Sequence, residues 1–231
     1  MNPLLAEAVA QADGLTRAAL GGSCPVKSRP SQRGTVANAA PQALGLDGTA
    51  LAGRIDLAGS WFQAVEAEGG YLNFFPAPAW YSAAVERLPA AGPETALPTL
   101  DVDFPAAIHP VDWAFWQALR GTAPDPALAA RQDAANPGWL VRYTARRLAA
   151  LEPRANPALD WTAERRQLLW TLAQLPREGT GRRMAGYLLA LAREIWAVGP
   201  QPLPTPLNRH CQAALRAGLG QVLAADHRRT Q

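Results

Sequence analysis

Cysteine is scarce: only Cys24 and Cys211 occur in 231 residues, far apart and without close partners. Neither a disulfide framework nor a thiolate zinc site can be built from so few. The three histidines, His109, His210 and His227, are unclustered and give no support to a metal site. No apolar run reaches the length of a bilayer span, and the N-terminal stretch MNPLLAEAVAQADGLTR carries Glu7 and Asp13 where a signal or transit peptide carries basic residues. These shortages predict a soluble cytoplasmic protein with reduced thiols. Lysine is nearly absent too, since Lys27 is the one lysine among 22 basic residues. Arginine's planar fork suits phosphate oxygens and base edges better than an ammonium does. No Ser/His/Asp set and no paired carboxylates emerge, and Asp101 and Asp103, flanking Val102 beside a proline, read as a solvated loop. The sequence therefore assigns no catalytic residue, metal or cofactor.

What is present is 48% apolar composition, enough to fill the core of one large or two modest domains. The net charge of +3 is unevenly spread. Residues 1–130 hold 7 basic against 12 acidic side chains, a net −5, whereas residues 131–231 hold 15 against 7, a net +8. Two explanations stand: an Ala- and Arg-rich bias running through the chain, or a surface for a polyanion in the second half.

Pattern divides the chain into three stretches. Residues 1–88 read as a small α+β domain with helices packed on a small antiparallel sheet. Its first helix fills the first 20 residues and ends at Gly21-Gly22, and short helical candidates follow at 37–44 and 48–58. A strand over 61–68, a turn at Gly69-Gly70 and a strand YLNFF form a hairpin, which a helix over 79–88 covers. Residues 89–125 form a Pro-rich connector whose helical piece is 111–120. Residues 126–231 read as an all-α bundle, with apolar stripes at helical spacing over 139–151, 162–175, 182–198 and 206–226. Prolines 153, 157, 200, 202 and 204 interrupt its short connections, which favours antiparallel neighbours.

Two segments in this layout resemble the two ends of the arginyl-tRNA synthetase family. RGTVANAAPQAL followed by EAEGGYLNFFPAPAWYSAAV is similar to that family's N-terminal additional domain. Gly34, Asn38 and Ala40 fall on its Gly-Asp-x-x-x-Asn-x-Ala segment, and Gly70, Tyr71, Leu72, Asn73 and Phe74 on its hairpin. DPALAARQDAANPGWLVRYTARR is similar to the entry of the DALR anticodon-binding domain through Asn136, Pro137, Val141, Tyr143 and Arg147. GRRMAGYLLALA resembles a later helix of that domain through Arg183, Ala185, Tyr187, Leu188, Leu191 and Ala192, and ALRAGLGQVL resembles its last helix. The resemblance covers roughly two thirds of the chain, and the order of the motifs is more specific than any one of them.

The family's catalytic core, a nucleotide-binding α/β domain with His-Ile-Gly-His and a Lys-rich loop, has no counterpart. About 50 residues separate Trp80 from Asn136, too few for a doubly wound sheet with its crossover helices. His109-Pro110-Val111-Asp112-Trp113 reads as a loop or helix cap and not as a remnant of the His motif. Gly179-Thr180-Gly181-Arg182-Arg183 follows a helix and not a strand, so it reads as a helix start and not as a phosphate loop. The chain also ends in ADHRRTQ where the family carries a Pro-Glu-Arg-Met-like tail, and IWAVGP replaces the expected Phe-Tyr, which implies weakened anticodon discrimination.

Recognition chemistry remains. Strand alternation sends Tyr71 and Asn73 to one face and Leu72 and Phe74 to the other. An aromatic ring beside a carboxamide suits an unstacked base, and the resemblance implies contact with the tRNA elbow there. The alternative is that Tyr71 packs on a helix and Asn73 satisfies the turn. Arg142, Tyr143, Arg146 and Arg147 lie within two turns of one helix, with Arg142 and Arg146 on one face. They read as an anticodon-loop surface or as a solvated basic face. Arg182 and Arg183 at a helix start oppose the helix dipole and call for an external anion or a loop carboxylate such as Glu178. The leading expectation is a tRNA or structured-RNA binding protein without aminoacylation activity. The alternatives are a protein-interaction or dimerisation module that docks a synthetase or itself, and a non-functional synthetase fragment.

Overall fold

The computed structural model describes residues 2–23, 26–88, 108–150, 161–174, 181–199 and 203–227. Expectations on Cys24, Asp101, Asp103, Pro153, Pro157, Glu178, Gly179, Thr180 and the chain end lie outside them, as does most of the proline-rich stretch. The protein is mixed α+β: among the described residues there are ten helices and one four-stranded antiparallel sheet. No described helix is long and apolar enough to cross a membrane.

Contacts divide the chain into two units, residues 1–88 with 160–174, and residues 89–159 with 175–231. The first is built on strands β1 (Arg29–Pro30), β2 (Val36–Asn38), β3 (Phe62–Glu68) and β4 (Tyr71–Pro76), in the order β1-β2-β4-β3. The β3–β4 hairpin turns on Gly69 and Gly70 at φ 57° and 83°, a left-handed pair that glycine adopts without a Cβ clash. Leu72 and Phe74 point inward and are fully buried with Val36, while Tyr71, Asn73 and Phe75 stand on the opposite face, as period-2 alternation requires. Helix α1 (Pro3–Leu20) starts at Asn2, whose side chain accepts the Leu4 N–H, and ends at Gly21 in the left-handed conformation. Helices α2 (Ala40–Leu44), α3 (Gly48–Ala52) and α4 (Pro78–Glu86) complete the N-terminal part.

One departure lies at 37–44, expected to be helical throughout. Val36–Asn38 instead pairs with β4, because that strand has an open edge to fill, and the helix begins only at Ala40. Buried Asn38 makes the switch: its Oδ1 accepts the Ala40 N–H at 2.8 Å and its Nδ2 donates to Ser28 Oγ at 2.9 Å.

Helix α8 (Ala163–Ala173), expected in the bundle, belongs to the first unit. Trp170 is buried at 5.4 Å from Trp80, and its indole N–H donates to the Ser31 carbonyl at 2.7 Å. The Asn2 N–H donates to the Ala173 carbonyl at 2.8 Å. Leu168 to Ala173 are all buried, so α8 carries no one-sided stripe that would assign it to a partner.

The second unit holds α5 (Pro110–Arg120), α6 (Pro126–Ala129), α7 (Pro137–Ala150), α9 (Gly181–Ala197) and α10 (Thr205–His227). Helices α5, α7, α9 and α10 all pack on one another. Helix α5, expected in a connector, is therefore a core helix of this unit, with Phe115 fully buried and Ala114 and Trp116 beside it. Its neighbours approach closely where glycine allows: a Cβ on Gly138 of α7 would lie 2.5 Å from the Asp112 Cα, and one on Gly218 of α10 2.5 Å from a Leu188 methyl. Cys211 is buried in α10, and burial pushes its thiol far above the usual range.

Candidate nucleic-acid interface

The hairpin presents its proposed readers to solvent. Tyr71 is 43% exposed, and Asn73 is half-buried with no side-chain hydrogen bond among the described residues. Their cross-strand neighbours are acidic, however: Glu68 faces Tyr71 and Glu66 faces Asn73. Arg33 answers Glu68 at 2.7 Å, both side chains lying mostly in solvent, where such a pair contributes little. This face offers a ring and an amide edge in a net acidic setting and suits a base better than a phosphate. Trp80 is in the core and Phe75 at its rim.

In the second unit, Asn136 sets the start of α7. Fully buried, it accepts the Gly138 and Trp139 N–H groups at 3.1 and 3.2 Å and donates to the Ala129 and Arg131 carbonyls at 2.8 and 3.0 Å. This cap and the proline after it fix where the helix begins and hence which residues face out.

Arg142 does not join the outward set. Its Nε and one terminal nitrogen donate to the two carboxylate oxygens of Asp112, both at 2.8 Å, in a pair whose side chains are 13% and 3% exposed. The expected anion for Arg142 is thus internal, supplied by α5, and Arg142 is corrected from an RNA-contacting residue to a structural one. Four residues on, Arg146 is exposed and makes no ion pair among the described residues.

Tyr143 is 40% exposed and belongs to a ladder of rings that spacing alone did not disclose. Trp139 stacks on it at 4.7 Å between centroids and 11° between planes, as i and i+4 positions on one helix face permit. Trp196 of α9 follows at 5.9 Å, itself 40% exposed, and the Arg147 guanidinium sits 4.9 Å from its ring centre. Trp196 is held in place, its indole N–H donating to Thr144 Oγ1 at 2.8 Å. The Trp139/Tyr143 pair was visible as an i,i+4 aromatic repeat in the sequence. Trp196 was not, because its place depends on how α7 and α9 pack.

Arg182 and Arg183 occupy the first turn of α9, exposed and without an ion pair among the described residues. Tyr187, one turn further, is half-buried, and burial with Cys211 nearby pushes its hydroxyl well above the usual range. His109 caps α5, its Nδ1 accepting the Val111 N–H at 3.2 Å. Among the described residues no group of His, Cys, Asp or Glu could hold a metal ion. No family model, curated protein or solved structure matches the chain.

Proposed function

We propose that this protein binds RNA, with tRNA as the partner its resemblance to arginyl-tRNA synthetase implies, and that it does not aminoacylate. The observation that carries the reading is the ladder Trp139, Tyr143 and Trp196 with Arg147 over one end. Partly exposed, stacked rings beside a guanidinium can be extended by unstacked bases, and Arg146, Arg182 and Arg183, which make no ion pair among the described residues, provide cations on the same unit for phosphates. Tyr71 and Asn73 supply a second point of base contact in the first unit. The helices that pack on α7 take the place of a DALR-type anticodon-binding bundle.

Gel-shift titration with arginine-accepting and other tRNAs tests this. Tyr143→Ala/Trp196→Ala should weaken binding by about 5- to 150-fold, the equivalent of ~1–3 kcal/mol of stacking, with circular dichroism unchanged. Tyr71→Ala/Asn73→Ala should weaken it independently. Affinity should fall steeply with salt, with a slope near ~0.7 per phosphate contacted. Equal binding by all variants would remove both sites, and turnover of ATP and arginine would remove the claim of an absent core.

A second reading, docking of a protein surface, draws on Leu44 and Leu46, which are 41% and 43% exposed. It predicts association scarcely affected by salt and abolished by Leu44→Ser/Leu46→Ser.

A further inference from the structure

The outer face of the sheet in the first unit carries one row of side chains that runs across its four strands. Register pairs Glu66 of β3 with Asn73 of β4, Asn73 with Ala37 of β2, and Ala37 with Arg29 of β1, and directly paired residues share a face. We propose that this row, with Tyr71 beside it, is a binding site for one guanosine nucleotide, and that Glu66 selects the base. The inference rests on the reading of Tyr71 and Asn73 as base contacts and names what they read.

Each member of the row is open to a ligand. Glu66 and Arg29 are exposed, and neither makes an ion pair among the described residues. Three strand spacings of ~4.8 Å hold their backbones about 14 Å apart, with no charged side chain between them in the row. Glu68, the next carboxylate on this face, is already answered by Arg33. Asn73 is half-buried without a side-chain hydrogen bond among the described residues, so its amide keeps both donors and its acceptor. Ala37 puts only a methyl group between that amide and the guanidinium, which leaves a shallow gap in the row.

The carboxylate decides which base. It accepts hydrogen bonds and donates none, and it takes two at once when two donors stand side by side. Guanine's Watson–Crick edge supplies such a pair, N1–H and the N2 amine, with O6 beside them to accept from the Asn73 amide. Adenine and cytosine set an amine next to a ring-nitrogen lone pair, and uracil sets N3–H between two carbonyl oxygens, so each brings an acceptor against the carboxylate. Tyr71 stands two residues from Asn73, about 7 Å along β4, and offers an exposed ring on which the same base stacks. The sugar then passes over Ala37, and the phosphate reaches Arg29 two strands away from Asn73. The row thus changes sign in the order a nucleotide requires, with an acceptor for the base at β3 and a cation for the phosphate at β1. The nucleotide comes either from an RNA chain or from the free pool.

The test is an NMR titration of the ¹⁵N-labelled full chain with GMP, AMP, CMP and UMP at constant ionic strength, following the Asn73 side-chain amide, assigned by its loss in Asn73→Ala. A saturable shift is expected with GMP, at an affinity about 5- to 150-fold above that of the other three. IMP, which lacks the N2 amine, should fall between. Glu66→Gln, at an exposed position that spares the fold, should bring GMP down to the level of the others, and Arg29→Ala should weaken all four alike. A second arm uses the oligoribonucleotide UUUGUUU. Tighter binding than GMP identifies an RNA residue, and equal or weaker binding identifies the free nucleotide. No saturable shift with GMP or UUUGUUU, equal affinity for all four nucleotides, or a GMP preference that survives Glu66→Gln overturns the proposal. The tRNA titration keeps two failures apart. If Tyr71→Ala/Asn73→Ala weakens tRNA binding while GMP holds no preference, the base contact stands and guanine selection falls, whereas no effect there and no nucleotide shift remove both.

Discussion

His109 couples a helix cap to a buried ion pair. Its Nδ1 must be unprotonated to accept the Val111 N–H, and its neighbour three residues on, Asp112, is the carboxylate held by Arg142. Burial is the largest influence lowering the imidazole pKa, with Arg142 and Arg146 adding to it and Asp112 opposing it. The unfolded chain therefore takes up the proton more readily than the folded one. The cap's contribution is complete above the unfolded value of about 6.5 and is lost as pH falls through the lower folded value. Urea unfolding followed between about pH 5 and 7 should show stability declining with acid, and His109→Asn, a cap that does not titrate, should flatten the decline. The pair itself is a matter of stability. Arg142→Ala or Asp112→Ala leaves a buried charge and should cost about 3–5 kcal/mol in the same assay, while Arg142→Met/Asp112→Leu should cost less than either. The RNA binding proposed above should be unaffected wherever the Arg142 variant is folded. Spacing could not disclose this role: it set Arg142 beside Arg146 on one helix face, while the true partner lies 30 residues upstream on another helix.

At the scale of elements, α5 and α7 touch through backbone. Gly138→Ala would set its Cβ 2.5 Å from the Asp112 Cα and 2.6 Å from its carbonyl oxygen, atoms of a helix that cannot swing aside. The helices must separate, at a cost of about 1–3 kcal/mol or more, read as a lower melting temperature and slackened protection of both helices in hydrogen exchange. Most elements were legible in the sequence because their signals are local: Asn2 and Gly21 bound α1, Gly69-Gly70 turns the hairpin, and Asn136 and His109 open α7 and α5. What was not legible was non-local. Period and caps show that 163–173 is helical, but a helix whose last six residues are all buried does not say whose core it fills. The same limit hid the ring ladder, since the Trp139 and Tyr143 repeat is local and its completion by Trp196 is not.

For the molecule as a whole, the consequence is that domain and sequence segment do not coincide. A fragment of residues 1–88 contains every strand among the described residues, yet it lacks the helix whose Trp170 packs on Trp80 and, just before that helix, Trp161, whose ring lies 5.5 Å from Tyr81. Such a fragment should lack fixed tertiary structure, visible as lost near-ultraviolet dichroism and collapsed amide dispersion, and adding a peptide of residues 160–174 should restore both. During translation the order of arrival matters. Residue 174 emerges 86 residues after residue 88, a delay of about 4–17 s at ~5–20 residues per second. Throughout that interval the sheet exists as nascent chain with the Trp80 side uncovered. The ribosome thus delivers the first 88 residues well ahead of the helix that seals them, and the Trp80 ring stays available for wrong contacts until residue 174 has emerged.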